Sequence, residues 1–276
     1  MSSYIDAHCH LGDKAFSEDI DAVLTDASQL GVKACLVCAE SFHDFSRILK
    51  LCETYPKILL PCLGVHPAQE APANPDSLLQ PMRGANLQDL EPALKVMGMN
   101  SDKLAAIGEI GLDFTPWICG THEERDEQRQ VFRNQIQLAK GLGLPVNVHS
   151  RSAGRPTIEI LREEGAEHVL LHAFDGSVKV AMQGLQLGYF FSVPPSIVRS
   201  EQKQKLVHKI PLENLLLETD SPALGPEKQR RNVPVNIRLS CEQIAKIKGV
   251  STATVMEATT ANALRLFPKL KTILHV

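Results

Sequence analysis

Two histidines stand two residues apart near the start of the chain, in the fragment "YIDAHCHLGD". His8 and His10 lie in an apolar, strand-like run, and side chains two residues apart leave the same face of a strand. Two imidazoles on one face form half of a metal chelate, although the same spacing also arises by chance. Whether this pair binds an ion therefore depends on further ligands elsewhere in the chain.

Several later apolar runs also end in a histidine or a carboxylate, which are ligand groups for divalent metals. These candidates are His66, Glu109, His149, His172, Glu218 and Asp220. A single histidine at a strand end is more often a hydrogen-bonded structural residue. Together, however, these imidazoles and carboxylates would be very costly to bury in one cavity without a cation.

Strand-like runs alternate with amphipathic stretches along the whole chain. The runs are "YIDAHCH", "VKACLVCAE", "ILLPCLGVH", "LAAIGEIGLD", "LPVNVHS", "HVLLHAF", "GYFFSV" and "NLLLETD". Such alternation favours parallel β/α units, and the first run lacks the glycine-rich phosphate loop expected of an open doubly wound sheet. We therefore predict an α/β fold, a TIM-type (β/α)₈ barrel formed as one domain over residues 1–276, with reactive groups at the C-terminal ends of its strands.

Three further stretches have a distinctive pattern. Apolar spacing predicts one helix from Glu123 to Gly143 and a last helix from Ser251 to Phe267 that seals the barrel. The stretch from Ala68 to Gln88 is rich in proline and asparagine and predicts a surface loop.

Composition narrows the class of protein. A chain of 276 residues with 43% apolar residues can bury a sizeable core, and its formal charge of -3 excludes a protein that coats nucleic acid through a global basic excess. Its seven cysteines fall mostly in apolar runs, which indicates a reducing compartment, and the Cys35–Cys38 pair lies in a strand rather than a zinc knuckle. No apolar run approaches the roughly 20 residues of a membrane span. We expect a monomer in the cytoplasm or the nucleus that does not contact membranes.

The candidate ligands exceed the need of one tetrahedral ion. Imidazole nitrogen and carboxylate oxygen suit Zn²⁺ or Mn²⁺, and several carboxylates admit Mg²⁺. Two ions about 3.5–4 Å apart, bridged by a carboxylate, would use the surplus. Glu109 is the predicted bridge, because the glycines of "IGEIGLD" leave space around it; simple bending of a barrel strand explains those glycines equally well.

The ordered motifs of the chain resemble those of the TatD family of metal-dependent deoxyribonucleases, within the amidohydrolase-like metal barrels. The motifs are "YIDAHCH", "LGVHP", "IGEIGLDF", "LGLPVNVHSRSA", "HAFDG", "LLLETDSP" and "TTANALRLF". The resemblance implies a metal-bearing barrel that hydrolyses phosphodiester bonds of DNA, with RNA as an open alternative. We expect digestion from strand ends.

The resemblance also implies a role for each ligand. His8 and His10 would hold one ion, and His149 and His172 would hold the other. Glu109 would bridge them, and Asp220 would complete the first ion and face the attacking water. His66 would touch the scissile phosphate or a third ion, while the role of Glu218 stays open. The departures Ala173, Asp175 and Ala223 remove no ligand but alter the floor of the substrate pocket.

The predicted mechanism is attack by a metal-activated water, with Asp220 and Glu109 as the catalytic residues. Candidate phosphate clamps lie on loops after the ligands: Arg151, Arg155, Arg230 and Arg231. The segment "KQRR" is explained equally well as a solvated surface turn. Phe114, Trp117 and Phe174 are candidates for stacking on an unpaired base, which would favour single strands or ends, although loop packing accounts for them too.

Two rival functions use the same residues. A small-molecule hydrolase could attack an ester, lactone or cyclic amide with the same centre, because a metal-bound hydroxide does not distinguish phosphorus from carbon. A non-catalytic binding or scaffolding protein could keep the barrel without the activity. A complete ligand set argues against the second rival, but ligand spacing cannot separate the first.

Overall fold

Eight parallel strands curl into a nearly closed barrel in a computed structural model that describes residues 3–72 and 81–275. The barrel strands are β1 (Tyr4–Cys9), β2 (Val32–Cys38), β3 (Leu59–Leu63), β6 (Ala106–Gly111), β7 (Val146–His149), β8 (Val169–Leu171), β9 (Phe190–Val193) and β10 (Leu215–Leu217). Their order around the sheet is β1-β2-β3-β6-β7-β8-β9-β10, and each strand in this order runs parallel to the next. The predicted (β/α)₈ architecture is confirmed.

Helices cover the outside of the barrel and fill the connections between its strands. They are α1 (Ile20–Leu30), α2 (Phe45–Thr54), α3 (Leu87–Met99), α4 (His122–Leu142), α5 (Gly154–Glu163), α6 (Val178–Gln186), α7 (Glu201–Lys209), α8 (Ile237–Lys248), α9 (Thr252–Leu266) and α10 (Leu270–Leu274). The predicted helix from residue 123 to 143 is α4, which a Thr121–Glu124 capping box begins and the left-handed Gly143 ends. The helix predicted from Ser251 to Phe267 is α9, but it is not the last helix, because α10 follows it.

The predicted surface loop between Ala68 and Gln88 is more regular than its composition suggests. A short antiparallel pair, β4 (Ala68–Glu70) and β5 (Met82–Gly84), begins and ends it, and α3 then starts at Leu87. Residues 73–80 of this stretch lie outside the described part of the chain.

Backbone and side chain together close the barrel between its first and last strands. The amide of Asp220 donates to the carbonyl of His8 (2.9 Å), and the amide of His10 donates to the carbonyl of Ser221 (2.7 Å). The buried Asp6 carboxylate accepts from the amide (2.9 Å) and the hydroxyl (2.6 Å) of Thr219. These bonds bring the ends of β1 and β10 together, where the candidate ligands follow.

A two-residue alternation along β1 would place Asp6 on the same face as His8 and His10. The structure shows that Asp6 does not share their surroundings. Its pairing with β2 shifts register between Asp6 and Cys9, because three residues of β1 span the distance that two residues of β2 cover. Asp6 consequently bonds at the seam with Thr219 instead of joining the ligands.

The other end of the barrel is apolar. Strand residues such as Ile5, Leu60 and Phe190, which lie in the first half of their strands, join a buried cluster with Phe267 and Leu270 from the C-terminal region. This packing leaves the polar groups of the barrel interior at the C-terminal ends of the strands. Within the described ranges, no helix combines the length and apolarity needed to cross a membrane.

Candidate metal centre

One set of candidate ligand atoms gathers beside β1. The Nε2 atoms of His8 and His10 lie 3.1 Å apart, and each lies 3.3 Å from Oε2 of Glu109. Oδ1 of Asp220 lies 3.4 Å from His8 Nε2 and 3.3 Å from His10 Nε2. Four side chains, from β1 and the residue after it, from β6 and from the segment after β10, therefore aim one atom each at a common point.

These separations fit a bound divalent ion. A tetrahedral ion with ligand bonds of 2.0–2.1 Å holds its ligand atoms roughly 3.3–3.4 Å from one another. Five of the six separations within the first set range from 3.1 to 3.4 Å. Nitrogen and carboxylate oxygen are also the donors that zinc and manganese accept. Geometry and donor type agree with a metal site.

A second set gathers around the other oxygen of Glu109. Oε1 lies 2.8 Å from Nδ1 of His149 and 2.7 Å from Nε2 of His172. Nε2 of His66 lies 3.5 Å from the same oxygen and 3.4 Å from His149 Nδ1. The buried Glu109 carboxylate thus faces one ligand set with each oxygen.

Glycines around Glu109 have a specific structural reason. At Gly111 the backbone has φ +144°, and an added Cβ would lie 2.0 Å from the carbonyl oxygen of His149; at Gly108 it would lie 2.6 Å from Cβ of Asn147. Close approach of β6 to β7 therefore requires these glycines. That approach brings Glu109 within reach of His149.

In three of the imidazoles, a neighbouring group determines which ring nitrogen carries the proton. Nδ1 of His10 faces the carbonyl oxygen of Cys38 (3.1 Å), which can only accept a hydrogen bond. Nδ1 of His8 faces Oδ1 of Asn147 (2.8 Å), and the amide nitrogen of Asn147 donates to a backbone carbonyl. Nε2 of His149 faces the Asp113 carboxylate (3.3 Å). In each ring the other nitrogen is left to present a lone pair to the centre.

The electrostatic field of the centre favours positive charge. Burial alone would lower the pKa of His8, yet the Glu109 carboxylate raises it well above its usual value. Burial would likewise raise the pKa of Glu109, but the surrounding imidazoles, His172 foremost, hold it well below the ordinary range. A cavity that attracts protons in this way also attracts a divalent cation.

Comparison with known proteins agrees with this geometry. The family profile described as "TatD related DNase" matches residues 5–268. The chain belongs to the TatD family. Its membership makes the chain a hydrolase of a metal-dependent class, and the two ligand sets are in keeping with that chemistry.

Relatives of this TatD chain share almost its whole length. It is 56% identical over 271 residues to "Deoxyribonuclease TATDN3" of Homo sapiens, covering 98% of this chain and 97% of the human protein. It is 32% identical over 268 residues to the "Uncharacterized metal-dependent hydrolase YabD" of Bacillus subtilis, covering 95% and 98% of the two chains. Among solved structures, YJJV, a TATD homologue from Escherichia coli, has a TM-score of 0.81 at 29% identity, covering 96% of this chain and 98% of that one.

Glu218 occupies a place of its own in this TatD barrel. Its fully buried carboxylate accepts from the amide of Ala173 (2.9 Å) and the hydroxyl of Ser192 (2.5 Å). The nearer oxygen lies 3.7 Å from Nδ1 of His172. Glu218 therefore lies behind the His172 ring and does not share the environment of Asp220, whose backbone has a left-handed φ of 56°.

The arginines predicted to contact phosphate in the TatD chain differ in whether a carboxylate already binds them. Arg151 is bound to Asp113 (Nε 2.8 Å), which in turn contacts His149. Arg230 pairs with Glu227 (3.0 Å), and Arg231 pairs with Asp19 (2.5 Å). Arg155 is exposed in the first turn of α5. Contact of these arginines with phosphate stays a prediction.

Of the three aromatic residues considered for base stacking, two have ring faces that pack against other side chains. Phe174 is buried and packs edge-to-face on Phe191, with ring centroids 5.6 Å apart. Phe114 is covered by the guanidinium of Arg129, 4.9 Å from its centroid. Trp117 is 79% exposed in the segment between β6 and α4. Only Trp117 of these three presents an open ring.

Sequence reasoning missed the supporting residues Asp113 and Asn147. Asp113 follows Glu109 by four residues in "IGEIGLD", and Asn147 precedes His149 by two in "VNVH", so both stand beside predicted ligands. A search for partners of each histidine's second nitrogen would have singled them out, since ligating imidazoles are usually held in this way.

Proposed function

We propose that the chain is a metal-dependent deoxyribonuclease that removes nucleotides from strand ends with a water activated at a two-ion centre. One observation carries the proposal: the two oxygens of Glu109 face two separate sets of imidazole and carboxylate atoms. A carboxylate placed in this way suits a bridge between two ions. The names of the relatives supply the substrate class.

We assign the ligands by their distances. The first ion would take His8, His10 and Asp220, and the second would take His149 and His172, with Glu109 shared. His66 joins the second set, because its Nε2 lies within 3.5 Å of both His149 Nδ1 and Glu109 Oε1. Burial lowers the pKa of His66 to about 4, so its ring is neutral at pH 7 and offers a lone pair.

The residues of the chain divide the work of hydrolysis. When bound, two divalent ions would supply a Lewis acid for the phosphoryl oxygens and lower the pKa of a bound water. Asp220 directs Oδ1 at His8 and His10, and we assign its second oxygen to accept the proton of the attacking water. Arg151, held by Asp113 beside His149, and the exposed Arg155 would orient the phosphate.

Substrate and polarity are tested with labelled oligonucleotides. Purified protein loaded with Zn²⁺, Mn²⁺ or Mg²⁺ is incubated with a single strand labelled at either end, the matching duplex, and a circular single strand. We expect a ladder from one end of the linear strand and no cut in the circle. Cleavage of the circle would overturn the exonucleolytic mode while leaving the nuclease activity in place.

The same preparations distinguish the small-molecule alternative. A panel of activated esters and lactones is offered under identical metal conditions. Turnover of these compounds without cleavage of any oligonucleotide would replace the nuclease proposal with the rival hydrolase.

Asp220→Asn tests the proton acceptor. We expect kcat on a single-stranded oligonucleotide to fall about 10²–10⁴-fold, because the amide cannot take the proton of the attacking water. Asp26→Asn, an exposed carboxylate on α1, is the matched control and should retain wild-type kcat. An unchanged rate in Asp220→Asn would remove Asp220 from the mechanism, and metal analysis of both variants reports whether an ion was lost.

A further inference from the structure

His172 differs from the other imidazoles of the centre in what holds its ring. Its Nδ1 is buried and has no hydrogen-bond partner in the described part of the chain, and the nearest Glu218 oxygen is 3.7 Å away. His8, His10 and His149 each have such a partner. The His172 ring stacks on the His8 ring, with centroids 3.7 Å apart and planes 4° from parallel. With no hydrogen bond at Nδ1, the orientation of this ring depends on the stacking, on the Glu109 oxygen 2.7 Å from Nε2, and on the backbone that carries it.

The backbone directly after His172 is held from both sides. Ala173 has a left-handed φ of 42°, which a residue with a side chain seldom adopts. Its amide donates to Oε1 of Glu218 (2.9 Å), and its carbonyl oxygen accepts from Nζ of Lys203 (2.6 Å). Both backbone polar groups of Ala173, one in the peptide unit before it and one in the unit after it, are therefore bonded to ionisable side chains.

Helix α7 supplies a second bond to the same loop. Gln202, the neighbour of Lys203, donates to the carbonyl oxygen of Gly176 (2.7 Å). Between these two points the Phe174 ring is buried against Phe191. An added Cβ at Gly176 would lie 2.5 Å from the Phe174 ring, which shows how closely the loop packs. The first turn of α7 thus fixes residues 173–176.

A partly buried lysine such as Lys203 is an unusual hydrogen-bond donor for a purely structural bond. Its side chain is partly buried, and burial lowers the pKa of its ammonium group, while Glu218 is the largest influence that opposes this change. A neutral donor would serve a purely structural bond without this desolvation. A charged one also polarises the Ala173 peptide and compensates the fully buried Glu218 carboxylate.

We propose that Lys203 is a positioning residue of the centre: through the Ala173 carbonyl, and together with Glu218, it sets the backbone from which the His172 ring reaches the second ion. This inference rests on the proposed two-ion function. Lys203 itself contacts neither ion nor substrate. It takes the role for His172 that Asn147 and Asp113 have for His8 and His149, acting on the backbone instead of the ring.

Lys203→Met tests the proposal by metal affinity. Metal-free protein is titrated with Zn²⁺ against a chromophoric chelator, and kcat is measured separately. We expect the affinity of one of the two ions to fall about 10–100-fold, the loss typical when an outer partner of a ligand is removed, with the other ion bound as in wild type. Lys203→Arg, which keeps a charged donor, should restore part of the loss.

Lys205→Met is the matched control, because Lys205 lies on the same helix, is 72% exposed and pairs only with Glu201 (3.7 Å) among the ion pairs of the described chain. It should bind both ions with wild-type affinity. Thermal unfolding of every metal-free variant reports whether the fold persists. If Lys203→Met does not fold, Gln202→Ala takes its place, with an expected loss of about 3–10-fold for the same ion, smaller because a neutral bond is removed.

The possible outcomes distinguish failure of the Lys203 proposal from failure of the proposed two-ion function. Wild type that binds a single ion overturns the two-ion function itself. Wild type with two ions and a folded Lys203→Met that binds both with unchanged affinity overturns the positioning role alone. Equal weakening of both ions in Lys203→Met also overturns it, because a selective effect on the ion held by His172 is required.

Discussion

The imidazoles of the centre depend on atoms that are not ligands. A histidine that coordinates an ion must present a lone pair, and which nitrogen does so is set by the hydrogen bond of the other nitrogen. Cys38 fixes His10 through a carbonyl, Asn147 faces His8, and Asp113 faces His149. Replacing such a partner commonly costs 10–100-fold in metal affinity, so we expect these residues to matter for the proposed function as much as the candidate ligands.

Trp117→Ala should weaken the binding of single-stranded substrate. Base stacking on an aromatic ring contributes about 1–3 kcal/mol per base, so we expect KM for a single-stranded oligonucleotide to rise about 5–150-fold. Because the ring is 79% exposed, the unfolding temperature should stay close to that of wild type.

Trp117→Phe is the control, since it keeps an aromatic face and should keep most of the affinity. Steady-state kinetics on one oligonucleotide, with the unfolding temperature measured in parallel, decides the matter. A KM that does not change in Trp117→Ala would show that the exposed ring takes no part in substrate binding.

The candidate ligands could be predicted from the sequence because each stands at or near the end of an apolar run, and parallel strands bring such ends together. Lys203 could not be found in this way. Lys203 lies on a helix, 30 positions after the residue whose carbonyl it binds, and nothing in its local sequence marks it. Its partner is defined only by the packing of α7 against the loop after β8.

At the level of elements, the seam between β1 and β10 brings the first set of candidate ligands together. His8 and His10 come from one side of the seam and Asp220 from the other. Four hydrogen bonds described above cross it, and the two between Asp6 and Thr219 join fully buried residues. A change at Asp6 therefore acts on the closure of the barrel and on the centre at once.

Asp6→Ala should destabilise the barrel. It leaves the buried amide and hydroxyl of Thr219 without their acceptor, which costs about 1–3 kcal/mol. For a domain of this size, that loss lowers the unfolding temperature by about 2–10 °C. Asp6→Asn, which keeps one acceptor oxygen, should lose less, and thermal unfolding of metal-free protein measures both. Equal stability of Asp6→Ala and wild type would show that the seam does not depend on this bond.

Strand patterning predicted the eight barrel strands but not the register shift in β1. Alternation of polar and apolar residues assumes that every residue advances the pleat by one step, whereas a bulge adds a residue without adding a step. The pairs Asp6–Cys35 and Cys9–Val37 reveal the shift, and both require knowledge of β2. Alternation also cannot show which way Glu218 and Asp220 point. β10 ends at Leu217, and both residues lie beyond the strand.

The charge of the whole molecule limits how it can hold a polyanion. The formal charge is -3, and Arg151, Arg230 and Arg231 are each engaged by a carboxylate. The arginines considered for phosphate contact therefore form a small, local set. A few phosphates, rather than a long track, would be neutralised when a strand binds.

Substrate binding should accordingly depend only moderately on salt. If about three or four phosphates of a single strand are contacted, the slope of log Kd against log salt concentration is about 2–3. Binding of a labelled oligonucleotide to Asp220→Asn, measured over a range of KCl concentrations, gives the slope. A slope above about 6 would contradict the local set and indicate a longer basic path than these arginines provide.

Metal removal should reveal the coupling between the centre and the stability of the fold. Ligands that bind only the native state stabilise it by about 2.7 kcal/mol at 100 times their Kd, which corresponds to roughly 5–10 °C for a domain of this size. We expect a chelator to lower the unfolding temperature by an amount of this order near pH 8. His208→Ala, a change at an exposed histidine on α7, should leave the shift unaltered.

The fall in unfolding temperature caused by the chelator should become larger as the pH rises. The direction of this pH dependence follows from the pKa of His149. Burial would lower its pKa, but hydrogen bonds to Asp113 and Glu109 raise it to about 9 in the metal-free fold. A group whose pKa is raised on folding stabilises the native state fully below its unfolded pKa of about 6.5, and this contribution is lost as the pH rises through about 9. An ion must displace the same proton, so it binds more weakly at low pH. Unfolding temperatures with and without chelator should therefore converge towards pH 6 and separate towards pH 9, whereas a difference that is constant across this range would mean that protons and metal ions do not compete for His149.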